Sequence, residues 1–169
     1  MLNVSGQPRG HGRGRAWLLN LVTPAVWAVR LYRIAHGLYR RRIPVLPEVI
    51  GCAARVITGV EIHHKARIGR RFMLYHGSGT VIGETAIIGE GCVLFHGVTL
   101  GLASVDDWRP GERLHPKLGD GVRVYAGATL VGPICVGDGA TIGANAVVLT
   151  DVPAGAVAVG VPARIVART

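Results

Sequence analysis

A chain of 169 residues is long enough for one principal domain with a small appendage and too short for a second full catalytic domain. Aromatic residues make up only 5% of it while 25 residues are glycine, which excludes a ring-rich core and calls for Val, Ile, Leu and Ala around a backbone that turns often. The net charge of +9 is confined to the start, since residues 1–42 hold eight arginines and no acid while the body is nearly balanced, so the chain lacks the basic surface of a nucleic-acid binder.

Residues 1–15, basic and rich in glycine, read as a disordered tail. Residues 16–49 form a helical segment in which Trp17, Leu18, Leu21, Val22, Ala25, Val29, Leu31, Ile34, Ala35 and Leu38 gather largely on one side, with Pro24 starting or interrupting it. That stripe is expected to pack on the protein's own body or on a partner subunit, in preference to a membrane surface. The apolar run Ala16–Val29 is shorter than the roughly 18–20 residues that span a bilayer, and no small-residue cleavage site follows it. The expected compartment is the cytoplasm. Cys52, Cys92 and Cys135 are an odd number at wide spacing and read as buried, reduced thiols. Pro44 and Pro47 mark the end of the helical segment.

Residues 50–169 carry a repeat. Aliphatic residues fall six apart at Val56, Ile62, Ile68 and Leu74, then at Ile82, Ile88, Leu94 and Leu100, and again at Leu118, Val124, Leu130, Val136, Ile142 and Val148. Glycine follows Ile68, Ile82, Ile88, Leu100, Leu118, Val136 and Ile142, where a sharp corner is expected to need a permissive backbone. Neither strict alternation nor a helical period produces this beat. A stacked solenoid does: each hexapeptide is a short strand plus a turn, three of them close a triangular coil, and the aliphatic side chains stack inward.

Two interruptions break the register. The step from Leu74 to Ile82 contains extra residues around His76-Gly77-Ser78-Gly79, and residues 101–117 lack the repeat and must leave the coil as a loop. His76, at the first break and beside small residues, is the leading candidate for a general base, because an imidazole titrates near neutral pH. Glu61 is placed one coil earlier, where a carboxylate can orient the ring; the alternative is a surface pair with Lys65 or Arg67. His96 follows Leu94 as His76 follows Leu74, so the two imidazoles are expected in neighbouring coils. His115 ends the loop and is a candidate acceptor contact, whereas His63 and His64 are expected to face solvent. A three-histidine zinc site would call for a close two-histidine element, which the spacing of His76, His96 and His115 lacks, and no metal is expected.

The segments Gly59-Val60-Glu61-Ile62-His63, His76-Gly77-Ser78-Gly79, Val81-Ile82-Gly83-Glu84-Thr85-Ala86, Gly97-Val98-Thr99-Leu100-Gly101, His115-Pro116-Lys117 and Gly160-Val161-Pro162-Ala163-Arg164 resemble the serine acetyltransferases over residues 50–166. The resemblance implies a left-handed parallel β-helix of hexapeptide repeats, a homotrimer, and acetyl-CoA as co-substrate. It implies that His76 deprotonates the acceptor hydroxyl, that Glu61 supports it where the family has Asp, and that His115 contacts substrate. Gly101, Ala126 and Ala144 fall where the family accommodates acetyl-CoA in a cleft between subunits.

Departures cluster at the acceptor. Tyr75 stands where the family has the Asp that holds the serine ammonium, and Leu114 where it has the Arg that binds the carboxylate, with Arg113 one step away as a possible replacement. The loop before His115 is longer than the family pattern and lacks its Gly-Gly-Thr-Gly run. The expected function is acetyl-CoA-dependent O-acetylation of L-serine or of another hydroxyl, such as that of a sugar, a polysaccharide or a natural product; a non-catalytic scaffold is the reading from a different class. The short helical segment predicts a trimer that does not pair into hexamers, and the lack of a tail ending in Ile predicts no cysteine-synthase complex formed through such a tail.

Overall fold

The computed structural model describes residues 23–104, 106, 109 and 111–166, so the expected tail at 1–15 and the residues from Ala16 to Val22 lie outside the described part. Helix α1 spans Pro24–Arg40 and opens with proline in its first turn, where a missing N–H costs no intrahelical bond. Ala25, Ala28, Tyr32 and Ala35 are its buried residues and form one stripe. Two polar side chains fasten that stripe to the first coil: the Tyr32 hydroxyl donates to Ala66 O at 2.7 Å and Arg33 Nη1 to Ile68 O at 2.6 Å.

Helix α2 spans Leu46–Thr58, again with proline in its first turn, and stops at Gly59, whose φ of +68° is the left-handed conformation that ends helices. This corrects the boundary drawn at residue 49/50. Pro44 and Pro47 precede a second helix instead of closing the helical part, and Val56 lies on α2 with 80% of its surface exposed. The interval from Val56 to Ile62 matches the repeat by coincidence. Val49, Cys52 and Val56 recur at helical spacing on the outer side of α2, and a single six-residue step cannot separate the two periods.

The solenoid begins at residue 60. Its first sheet stacks β1 (Glu61–Ile62), β4 (Val81–Ile82), β7 (Thr99–Gly101), β10 (Thr129–Val131) and β13 (Val147–Val148). The second stacks β2 (Arg67–Ile68), β5 (Ile87–Ile88), β8 (Lys117–Leu118) and β11 (Cys135–Val136). The third holds β3 (Met73–Leu74), β6 (Val93–Leu94), β9 (Arg123–Val124), β12 (Thr141–Ile142) and β14 (Val157–Val159), with β15 (Arg164–Val166) added antiparallel at the end. All other pairings between these strands are parallel, and the architecture is the left-handed parallel β-helix.

The register leaves the repeat's aliphatic residues in columns. Ile62, Ile82 and Leu100 align in the first sheet, Ile68, Ile88 and Leu118 in the second, and Leu94 and Val124 in the third, all buried. Burying such a column removes apolar surface from water at about 25 cal/mol per Å². No coil could keep those side chains dry alone, which is why the stack is the unit of stability. The long loop leaves this stack cleanly: β7 pairs with β10 and β5 with β8, as though residues 102–116 were absent.

The glycines behind the inward residues have a different role from the one expected. Gly69, Gly83, Gly89, Gly119, Gly137 and Gly143 are not among the positive-φ residues, so backbone freedom does not select them. A Cβ there would strike the neighbouring coil: at Gly69 it would lie 2.5 Å from Gly89 O, and at Gly137 2.4 Å from Ala154 N. Glycine permits the close approach of one coil to the next. The left-handed glycines lie instead in the turns, at Gly91, Gly121 and Gly139 for example.

The cysteines divide. Cys92 is buried, with its thiol pKa pushed up by that burial, whereas Cys52 and Cys135 are exposed, contrary to the expectation for all three. Cys135 opens its strand, and Val136 takes the inward position.

Candidate active site

Each edge of the prism collects the residues just after one sheet's strands. Along the edge from the third sheet to the first stand His76, His96, Ala126 and Ala144, one per coil, linked by backbone bonds. Gly97 N donates to Ser78 O, Gly127 N to His96 O and Asn145 N to Ala126 O, each at 2.9 Å. His76 sits at the expected register break, exposed, with φ at +65°. A histidine in the left-handed region is uncommon and is held there by surrounding structure. The turn that holds it is tied down: Gly79 N donates to Gly59 O at 2.8 Å, and Gly77 is so close to Val60, Leu74 and Ala25 that a Cβ would lie within about 3 Å of each. His96 meets His76 edge to face with ring centroids 6.1 Å apart, which bears out the expected neighbouring-coil placement.

Glu61 opens β1, where its N–H donates to Thr80 O at 2.9 Å, and its side chain is engaged elsewhere. Its carboxylate pairs with Arg55 of α2 at 3.0 Å, and no hydrogen bond to His76 is present among the described residues. Neither Lys65 nor Arg67 is its partner: Lys65 pairs with Glu84 at 2.8 Å. That contact raises the lysine pKa and lowers the carboxyl pKa.

His115 occupies the next edge, between the first and second sheets, which also carries Gly101. One chain therefore does not bring His76 together with His115, Arg113 or Gly101. His115 is buried, and its position is over-determined. The Thr85 hydroxyl accepts from the backbone N–H groups of Leu114 and His115 at 2.9 and 3.1 Å, so its own proton is directed at His115 Nδ1, 2.8 Å away. Thr85 N also donates to Nδ1 at 3.3 Å. With Nδ1 accepting, the proton of the neutral ring is on Nε2, which is thereby a donor. The ring lies over Gly83, where a Cβ would sit 1.9 Å from His115 Cδ2. Burial holds the His115 pKa below 6.5, partly opposed by Glu84.

Arg113 is not free to replace the missing carboxylate ligand. Its Nη1 donates to His115 O at 3.0 Å and Ile134 O at 3.1 Å, and its Nη2 to Pro133 O at 2.7 Å and toward Cys135 Sγ at 3.4 Å. It fastens the end of the loop to the next coil. Leu114, beside it, is buried. A cleft of about 400 Å³ flanks this edge, lined by Lys65, Glu84, Thr85, Glu112 and Arg113 among others.

His64 departs from the solvent-facing expectation. It is buried under α1, its backbone O is 2.8 Å from His36 Nδ1, and its Nε2 has no hydrogen-bond partner among the described residues, with Glu48 Oε1 at 3.6 Å. Burial lowers the pKa of His64, opposed by Glu48, and lowers that of His63, which stacks on His64 at 4.5 Å. A lowered folded pKa means that the unfolded chain takes up protons first as pH falls. Stability is full above 6.5 and declines as pH drops through the folded values of His63, His64 and His115. The melting temperature is expected to be flat from about pH 8 to about pH 7 and to fall below that. A midpoint that rose on acidification would contradict the burial of these rings.

A family model described as bacterial transferase hexapeptide (six repeats) matches residues 115–150. The serine acetyltransferase of Helicobacter pylori strain J99 is 47% identical over 152 residues, covering 90% of this chain and 86% of that protein. The chain belongs to the serine acetyltransferase family. Among solved members, Neisseria gonorrhoeae serine acetyltransferase in complex with serine superposes with a TM-score of 0.83 at 40% identity, covering 89% of this chain and 60% of that one. A serine acetyltransferase in complex with CoA gives 0.81 and 40%, with the same coverages. The chain thus spans most of the H. pylori relative and about three fifths of these longer members.

Some residues of this family member's site are not singled out by sequence reasoning. Thr85 and Gly83 set the His115 tautomer and seat its ring, although both occur in the segment that carries the resemblance. Phe95 and Tyr125 form a ladder with Tyr75, and its signal is present in the sequence: each aromatic residue directly follows the inward residue of a third-sheet strand.

Proposed function

We propose that the chain is an acetyl-CoA-dependent O-acetyltransferase of the serine acetyltransferase type, with His76 as general base. The observation that carries this is the exposed His76, pinned in a left-handed conformation at the break in the coil, in a chain whose relatives are serine acetyltransferases. The acceptor oxygen attacks the thioester carbonyl, His76 takes the hydroxyl proton, and the CoA thiolate leaves and is reprotonated. Glu61 acts as the ring's counter-charge by exchanging Arg55 for the imidazolium that forms during transfer. His115, with its proton on Nε2, donates to the acceptor or to the developing oxyanion.

His76 and His115 lie on different edges, so the complete site requires two copies. A trimer that sets the His76 edge of one copy against the His115 edge of the next supplies this, with Gly101, Ala126 and Ala144 bordering the acetyl-CoA cleft. Solved relatives, one in complex with CoA and another with serine, support the two substrates. Thiols without disulfide partners fit the cytoplasm. L-Serine is the acceptor the relatives point to, while Tyr75, Leu114 and the engaged Arg113 favour a different hydroxyl.

Melting the protein with acetyl-CoA tests the class. Ligand at about 100 times its Kd stabilises a fold by about 2.7 kcal/mol, so the midpoint is expected to rise and CoA to be released once an acceptor is added. An unchanged midpoint with no CoA release would mean a silent scaffold.

A further inference from the structure

Beside His76 a groove of about 530 Å³ runs between α1 and the first coil, lined by Pro24, Val26, Val29, Arg30, Tyr75 and His76 among others. Its size and mostly apolar walls are those of a small-molecule site. Among the described residues that line it, Arg30 is the only formal charge apart from the titratable His76, and none is an acid. Arg30 stacks its guanidinium over Trp27, 5.5 Å from the ring centroid.

Tyr75 is the end ring of the ladder. Its ring lies 5.2 Å from that of Phe95 at an interplanar angle of 18°, and Phe95 lies 5.1 Å from Tyr125 at 15°. Phe95 covers one face of Tyr75, no second ring stacks on it among the described residues, and the residue is 46% exposed. A stacked column braces Tyr75 in one orientation, so its open side is a rigid apolar platform next to the base.

We propose that this groove is the acceptor pocket and that it takes a neutral pyranose, with the apolar face of the sugar on Tyr75 and one hydroxyl delivered to His76. The proposal rests on His76 acting as the base for acetyl transfer from acetyl-CoA. Charge decides the acceptor class. A free amino acid brings an ammonium that no acid among the described lining residues would pair, whereas a pyranose brings axial C–H groups that favour an aromatic face and hydroxyls that need no counter-ion. Substituting the family's Asp by Tyr75 removes the ammonium's partner and creates the platform in a single change.

The test is CoA release from acetyl-CoA by the full chain, with methyl β-D-glucopyranoside, methyl β-D-galactopyranoside and N-acetylglucosamine compared with L-serine. Saturable release is expected with at least one sugar, at a kcat/KM about tenfold or more above that for serine. Tyr75→Ala is expected to raise the sugar KM about tenfold or more, while Tyr75→Phe, which keeps the stack, stays within about threefold of the parent. Tyr75→Asp is expected to move the preference toward serine. Saturable release with serine and none with the sugars would overturn the pyranose proposal. If that serine activity were then abolished by His76→Asn, the reading of the base would survive. No CoA release with any of these acceptors would overturn both. A Tyr75→Ala protein that melts lower but keeps the sugar KM would show that the groove serves packing only, and the proposal would fall.

Discussion

Replacing His76 is expected to lower kcat for acetyl transfer by about 10²–10⁴-fold, the usual contribution of a positioned general base. The substitution needs care, because His76 has a φ of +65° and alanine tolerates that conformation poorly. His76→Asn separates chemistry from folding: asparagine visits the left-handed region readily but cannot serve as a base near neutral pH. Both variants should bind acetyl-CoA, as read from the ligand-induced rise in melting temperature. His76→Asn should melt close to the parent and His76→Ala lower. Near-normal CoA release by His76→Asn would remove His76 from the mechanism and leave the left-handed turn as a purely structural feature.

Gly83→Ala is expected to be the most damaging substitution away from the base. The added methyl would lie 1.9 Å from His115 Cδ2 and 2.1 Å from Nε2, well inside van der Waals contact, so the ring must move. It cannot move freely, since Thr85 holds Nδ1 and Arg113 holds the backbone O of the same residue. Overpacking of this kind costs about 1–3 kcal/mol, and displacing the Nε2 donor should bring acetyl transfer down to the level of His115→Ala. Gly51→Ala is the control. Gly51 lies in α2 with nothing within 4 Å of its would-be Cβ, and alanine there should stabilise the helix by about 0.5–1 kcal/mol. If Gly83→Ala kept full activity, His115 would not be the acceptor contact.

The site was legible in the sequence in parts. The break at His76, the neighbouring His96 and the loop ending at His115 are all disturbances of a regular beat, and a disturbance can be read along the chain. The partners that set each group's chemistry cannot. Arg55 comes to Glu61 because α2 folds back over the first coil, and the Arg113 clamp exists because the loop returns beside Pro133, Ile134 and Cys135. His64 is buried because α1 lies on it, which the local pattern of two adjacent histidines does not reveal. The Thr85 hydroxyl acquires its role from three contacts to Leu114 and His115, residues separated from it along the chain by β5, β6, β7 and the long loop.

By itself the sequence determined the coil. From Ile62 to Val148 every repeat position occupies the inward place on its strand, because burial of an aliphatic side chain is dictated by a short period that each successive coil reinforces. It also determined where the coil must break. Only the tertiary structure decided where the coil starts, since Val56 satisfies both the helical and the hexapeptide spacing and the packing of α2 settles which prevails. Only it decided why glycine follows the inward residue, because the atom that a Cβ would strike belongs to the next coil. It likewise placed His76 and His115 on separate edges. Edge assignment depends on counting strands by threes through two register breaks, and a side chain's chemistry depends on what the neighbouring coil brings within a few ångströms of it.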